Sequence, residues 1–364
     1  MKVLTLCLSP NKGGLEMYAC KMVEAFRSKN IDCLTVTGEN SYIKKALKTK
    51  GVANLSVKPL FPFFPIISAL RLARWIRLKD VDIIHIHWNK DLRLAVLAKI
   101  FSRKKVSVVY SRHMGITRNK KDIYHRFLYK RVSYLITHTK LMQQEAIDRL
   151  PIPPERIKMI YLGVPEPNKI DDNAADNFLH DTGLDKVDFK IGLFGRIEYG
   201  KGQHLLVESL SNLKQAGCNA GAGFVGHVMD EKYLAGLKQS IKSYGLEKQT
   251  HFFGFVDEPV CYMRCFDVIV LTTYCETFGL VLIEAMRAGV PVIGANAGGV
   301  PEIIAHRDTG LLFESGNADS LTEILIELSS DPELKKQLAE AGRIMADKKF
   351  SEAQHVKALM EVIL

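Results

Sequence analysis

A chain of 364 residues, 47% of them apolar, exceeds the usual size of one core and fits two domains. It has no run of about 18 uncharged apolar residues and too short an apolar start for a signal peptide, so a cytosolic protein without a membrane-spanning helix is expected. The net charge of +10 divides unevenly: residues 1–164 hold 31 Lys and Arg against 11 Asp and Glu, and residues 165–364 hold 19 against 29.

In chain order, "KVLTLCLS" reads as a short apolar strand, "GGLEMYACKMVEAFRSK" has helical periodicity, and "DCLTVTG" returns to strand character. The alternation continues through "VDIIHIHW", a helix from Asp91 to Phe101, "VSVVYSRH" and "YLITHT". Such alternation predicts a parallel α/β sheet with crossover helices over residues 1–165. A polar, proline-dotted stretch, 166–188, reads as a linker. The pattern then restarts. "FKIGLFG", "GAGFVG", "THFFGF", "DVIVLTT", "VPVIGA" and "GLLFE" are six strand candidates of a second doubly wound, Rossmann-like domain over 189–345. The segment from Asp331 onward is helical with no strand after it, and 346–364 is expected to pack back across the domain junction.

Seven cysteines, without metal-type pairing, fit a reducing compartment; Cys261 and Cys265 read as small buried hydrophobes rather than zinc ligands. The basic N-terminal half calls for an anionic partner, nucleic acid or an acidic membrane surface. With no zinc-finger, RNP-like or basic-zipper signature, no nucleic acid is expected.

Ligands of open α/β sheets bind beyond the carboxyl ends of the strands, and the chemical motifs fall there, in an expected cleft between the domains. "NKGGLE" puts Gly13 and Gly14 at a strand-to-helix turn, where backbone amides are accessible. "FGRIEYGKGQH" places Arg196 and Lys201 in a loop with Gly195, Gly200 and Gly202, so both cations are expected to turn toward one diphosphate. In "CETFGLVLIEAMRAGVPVI", Thr277 is expected to cap a helix beginning near Phe278. The free amides of Phe278, Gly279 and Leu280 would then receive a phosphate. Glu276 lies just outside that start, in reach of sugar hydroxyls, and Glu284 lies about two turns inside, in reach of a ribose diol. His85 and His87, with period two, face one side of a strand and suit a core position as well as a site.

Together "NKGGLE", "DIIHIHW", "GRIEYGKG", "ETFGLVLIEA" and "GGVPEIIAHRDTGLLF" resemble a retaining glycosyltransferase of the GT-B fold, of family four, in family order over residues 9–316. The resemblance implies transfer of a sugar from a nucleotide-sugar donor, UDP-sugars being the commonest in the family. The C-terminal domain would hold the donor and the N-terminal domain the acceptor. It assigns Arg196 and Lys201 to the diphosphate, Glu284 to the ribose, Glu276 to the donor sugar and Gly14 to a phosphate or the acceptor. His113, in "YSRHMG", matches a histidine near the transferred sugar, and Phe253, Gly254, Phe255 and Val256 match a segment whose backbone meets the base. It also implies a front-face route needing neither cofactor nor metal, in keeping with the absence of an Asp-x-Asp pair near the motifs. "VGHVMD" departs from the family's Gly-Asp-Gly, which leaves contacts there unassigned. A GT-B epimerase or phosphorylase and a non-catalytic nucleotide-sugar binder remain open alternatives, since one fold hosts many functions.

The stretch Lys58 to Asp80 combines Phe61, Phe63, Phe64 and Trp75 with Arg71, Arg74, Arg77 and Lys79, and from Ile66 it forms a helix with one basic side. With the basic half behind it, the expectation is peripheral attachment to the cytosolic face of the inner membrane. The acceptor would be a glycan, lipid-linked or of lipopolysaccharide type.

Overall fold

The computed structural model describes all residues except 12, 58–64, 169–176, 181 and 364. The chain divides into two compact units: Met1–Tyr161 with His355–Leu364, and Leu162–Gln354.

The first unit holds a seven-stranded parallel sheet in the order β3-β2-β1-β4-β5-β6-β7. Its strands are β1 (Lys2–Cys7), β2 (Asp32–Thr37), β3 (Ala53–Ser56), β4 (Ile83–Ile86), β5 (Ser107–Ser111), β6 (Tyr134–Thr137) and β7 (Ile157–Met159). The five apolar runs anticipated from sequence are five of these. The edge strands β3 and β7 are too short and too polar, "ANLS" and "IKM", to announce themselves before a neighbour pairs with them. The helices α1 (Gly14–Ser28), α2 (Tyr42–Lys48), α3 (Ile66–Leu78), α4 (Leu92–Ser102), α5 (Ile123–Tyr129) and α6 (Lys140–Arg149) make the crossovers. α3 packs on α4, and α4 on α5. The buried stripe Ala69, Leu72, Ala73 and Ile76 explains why α3 exists as a helix: spacing of three and four turns one face onto the sheet. The aromatic residues Phe61, Phe63 and Phe64 of the expected interfacial stretch lie outside the described residues.

The second unit holds six parallel strands in the order β10-β9-β8-β11-β12-β13. They are β8 (Phe189–Phe194), β9 (Ala220–Val225), β10 (Thr250–Gly254), β11 (Val268–Leu271), β12 (Val292–Ala295) and β13 (Leu311–Phe313), matching the six runs anticipated. Its helices are α7 (Gln203–Gln215), α8 (Glu231–Ser243), the single turn α9 (Pro259–Tyr262), α10 (Leu280–Arg287), α11 (Ala318–Ser330) and α12 (Pro332–Phe350). The final helix, α13 (Glu352–Ile363), follows a break at Ser351. Central strands such as β11, "VIVL", and β12, "VIGA", are buried at every position because helices cover both faces. No helix among the described residues is long and apolar enough to cross a membrane.

Candidate active site

Strand order reverses direction between β8 and β11, so the loops leaving their carboxyl ends diverge and open a crevice in the second unit. The first of these loops is Gly195–Gly202 and the second Thr272–Gly279, the two motifs singled out in the sequence. They are stitched together by backbone and side chain. Thr272 Oγ1 donates to the Lys201 carbonyl at 2.7 Å. Gly202, with φ at +69°, sits so close to Thr272 that an added Cβ would lie 2.4 Å from its carbonyl oxygen, so only glycine serves. The outcome is an ion pair between groups 75 residues apart: Lys201 Nζ donates to Glu276 Oε2 at 2.8 Å, with both side chains about one-fifth exposed.

Glu276 is held from several sides. Its Oε1 accepts from the Thr277 amide at 3.1 Å, and its carbonyl accepts from the Gly299 amide at 2.8 Å. An added Cβ on Gly298, φ +60°, would lie 2.2 Å from that same carbonyl oxygen. Arg196 does not converge on Lys201 through its own contact. Its Nη2 pairs with Glu198 Oε1 at 2.8 Å, and its side chain is more than half exposed. Each cation is therefore paired with a carboxylate, Arg196 with Glu198 in its own loop and Lys201 with Glu276 in the loop after β11.

The structure corrects one expectation. Thr277 caps nothing: α10 begins at Leu280, preceded by Gly279 in a left-handed conformation at φ +95° and without a side-chain cap. The helix opens two residues later than the pattern suggests, at left-handed Gly279, and the Phe278 ring between them is drawn into the core against Phe350, with ring centres 5.9 Å apart. Of the first-turn amides of α10, that of Leu282 donates to the Gly279 carbonyl at 3.0 Å, and those ahead of it lie where a helix start offers no intrahelical acceptor. Glu284 lies within α10 and is half-buried. Phe253 stacks on Phe178 at 4.2 Å, and a register shift between Phe252 and Gly254 turns the chain out of β10. Phe255, beyond the shift, is exposed on one side and stacks on His227 at 4.3 Å. Sequence reasoning left His227 unassigned because its partner becomes visible only when β9 and β10 pair. Cys261 is buried and Cys265 half-buried, and no group of side chains among the described residues is arranged to hold a metal ion.

In the first unit, β1 and β4 flank the corresponding switch. Gly14 opens α1, Gly13 is its extended N-cap, and the buried Glu16 accepts from the Ser9 hydroxyl beneath that turn. Asp91 is buried after β4 and accepts from the Leu8 amide at 2.9 Å; burial pushes its carboxyl up to about 8.

Next to this turn the strand ends gather five imidazoles. His85 comes from β4 and His87 follows it, His113 follows β5, His138 follows β6, and His355 comes from α13. The ring of Tyr18, from α1, touches four of them, with centres 4.6 to 5.8 Å away. His85 Nε2 meets Ser111 Oγ at 2.8 Å, and His355 bridges the Tyr18 hydroxyl at 2.8 Å and the Tyr161 carbonyl at 2.6 Å. Burial, then the neighbouring imidazoles, holds His85 and His138 down to about 3 and His113 well below its ordinary range. His113 is thus a neutral group, and its Nε2 has no hydrogen-bond partner among the described residues. The expectation that His85 and His87 share one side holds, with ring centres 4.2 Å apart. His138 and His355 went unnoticed in the sequence because nothing local links positions 217 residues apart to the "HIH" strand.

Two family profiles match in succession: "Glycosyltransferase Family 4" over residues 12–166 and "Glycosyl transferases group 1" over residues 175–345. Among curated proteins the chain is similar to the N-acetyl-alpha-D-glucosaminyl L-malate synthase of Bacillus anthracis, 38% identical over 107 residues, 29% of this chain and 28% of that one. It is also similar to the capsular polysaccharide biosynthesis glycosyltransferase CapM of Staphylococcus aureus, 28% identical over 50% of this chain and 47% of that one. These alignments span less than half of either relative's length. A 4-alpha-N-acetylgalactosaminyltransferase of Campylobacter jejuni, named for a diphospho-undecaprenol substrate, is 23% identical over 85% of this chain and 84% of that one. Among solved structures, Anabaena HepE in complex with UDP and glucose superposes with a TM-score of 0.86 at 23% identity, covering 100% of this chain and 99% of that one. Two doubly wound parallel sheets in this order, with both profiles matched in turn, make the chain a GT-B glycosyltransferase of the group 1, family 4 class.

Proposed function

We propose that the chain transfers a hexosyl group, with retention of anomeric configuration and without a metal, from a UDP-sugar to a glycan acceptor carried on a lipid. The observation that carries this reading is the Lys201–Glu276 pair at the carboxyl end of the second sheet, next to the amides opening α10. A diphosphate entering there takes the Lys201 ammonium from Glu276 and the Arg196 fork from Glu198. The first-turn amides add dipolar stabilisation of the charge that develops as the donor bond breaks. Glu276, released, accepts from hydroxyls of the donor sugar, and Glu284 from the ribose. The bond from the anomeric carbon to the diphosphate oxygen breaks, the acceptor oxygen bonds to that carbon on the same face, and the acceptor proton passes to the leaving phosphate oxygen. His113, neutral, serves as a hydrogen-bonding group toward the transferred sugar. Incubation with a panel of UDP-, GDP- and ADP-sugars tests the donor class: UDP-sugars should raise the thermal midpoint and be consumed. A midpoint indifferent to every nucleotide would remove the reading.

For the acceptor we propose a site at the cytosolic face of a membrane. Two features of the first unit support it. On α3, Ile66, Ile67 and Leu70 are exposed beside Arg71 and Arg74. On α5, Ile123 is 88% exposed and Tyr124 and Phe127 stand out with it, amid Arg118, Lys121, Arg126 and Lys130. Apolar anchors ringed by cations suit an anionic lipid surface, each cation contributing about 1 kcal/mol. Sedimentation with phosphatidylglycerol vesicles should carry the protein down at low salt and release it as salt is raised. A protein that stays in the supernatant with phosphatidylglycerol vesicles even at low salt would point to a soluble acceptor.

A further inference from the structure

The two loops that carry Lys201 and Glu276 are joined by an aromatic chain outside the residues assigned so far. The His204 amide donates to the Tyr233 hydroxyl oxygen at 3.1 Å, and the same hydroxyl lies 2.8 Å from His204 Nδ1. The hydroxyl thus meets both the main chain and the ring of His204. Burial pushes the Tyr233 hydroxyl up to about 12 and holds the His204 imidazole below its ordinary value, so both are neutral near pH 7. Nε2 lies 2.9 Å from the Tyr274 hydroxyl, so the neutral ring, one nitrogen a donor and the other an acceptor, bridges the two hydroxyls. Tyr199, 63% exposed, stacks nearly parallel on His204 with centres 4.9 Å apart and on Tyr274 at 6.0 Å.

Tyr274 stands two residues before Glu276, and its main chain is tied at both ends. Its amide donates to the Gly200 carbonyl at 3.4 Å, and its carbonyl accepts from Ser315 Oγ at 3.3 Å. His204 stands three residues after Lys201, at the opening of α7. The chain from Tyr233 through His204 to Tyr274 therefore spans α8, α7 and the loop after β11, the last of which carries Glu276.

We propose that His204 is a positioning residue of the donor site: by fixing the Tyr274 ring it sets the turn that presents Glu276 to Lys201, so that a nucleoside diphosphate meets a prearranged ammonium. The role in binding rests on the donor reading above; the fixing of the turn does not. His204→Phe keeps a ring for the Tyr199 stack and removes both side-chain hydrogen bonds. Hydrogen–deuterium exchange should then quicken at residues 274–278 by roughly two- to tenfold, the worth of one hydrogen bond. Tyr274→Phe should reproduce this. His204→Gln, whose amide offers one acceptor and one donor, should restore part of the protection. By calorimetry His204→Phe should weaken UDP binding by a similar factor, and that factor should vanish in a Lys201→Ala background, because two changes on one chain of contacts are not additive. Unchanged exchange at 274–278 overturns the proposal. So does a loss of UDP affinity that persists in full without Lys201. A wild-type protein that does not bind UDP at all defeats the donor reading, while the exchange measurement still decides the fixing of the turn.

Discussion

At the scale of single residues, the site consists of charges that wait in pairs. Lys201 and Glu276 are both mostly shielded from water, so removing either leaves the other poorly compensated. Lys201→Ala should lower UDP affinity roughly tenfold or more, as expected for one charge-assisted hydrogen bond of about 1.5–3 kcal/mol, and should cut turnover without unfolding the chain. Arg196→Ala should also reduce turnover, and by less, since its exposed side chain is already screened. Glu276→Ala should impair sugar transfer more than UDP binding; a variant that loses UDP binding with transfer intact would move Glu276 to the ribose. Asp91 offers a test in the first unit. Its folded value of about 8 exceeds the ordinary 3.8, so the folded state holds the proton more tightly and stability declines as pH rises through that window. Asp91→Asn keeps an acceptor for the Leu8 amide and should flatten that decline in urea unfolding at about pH 5 and about pH 8.

At the scale of elements, glycines and caps decide where helices begin. Gly202 is both left-handed and pressed against the Thr272 carbonyl, so Gly202→Ala forces apart the two loops that carry Lys201 and Glu276. It should cost about 1–3 kcal/mol or more in stability, with activity falling too. An ordinary cap gives the contrast. Asp331 accepts from the Leu334 amide at the start of α12, so Asp331→Ala should cost about 1 kcal/mol by urea denaturation and leave UDP affinity almost unchanged. The helix after Glu276 shows the limit of cap signals: a threonine ahead of an apolar run is a sound N-cap signal, yet here a left-handed glycine two residues further on opens the helix instead.

At the scale of the whole molecule, the five histidines of the first unit make acid stability a collective property. Their values in the folded state are lowered below 6.5, to about 3 for His85 and His138 and about 4 for His355, so the unfolded chain binds more protons between these limits. The stability they contribute is complete above 6.5 and is lost as pH falls toward about 3. The thermal midpoint should therefore drop between about pH 7 and about pH 5, against the weaker opposite trend from Asp91. His138→Leu should reduce the slope of that drop; a slope unaltered by the substitution would place the acid sensitivity elsewhere.

The sequence by itself determined the two parallel sheets, since buried strands covered on both faces need continuous apolar runs and their crossover helices need a single apolar stripe. It also placed "GRIEYGKG" and "ETFGLVLIEA" at strand ends, because strand, glycine turn and helix follow one another locally. Only the tertiary structure decided which carboxylate each cation meets, that His204 bridges two tyrosines, and that Tyr18 and His355, 337 residues apart, share a hydrogen bond. The edge strands β3 and β7 and the start of α10 belong with these. Each depends on a partner brought close by strand order, and local propensity and spacing carry no information about groups that become neighbours only when the sheets assemble.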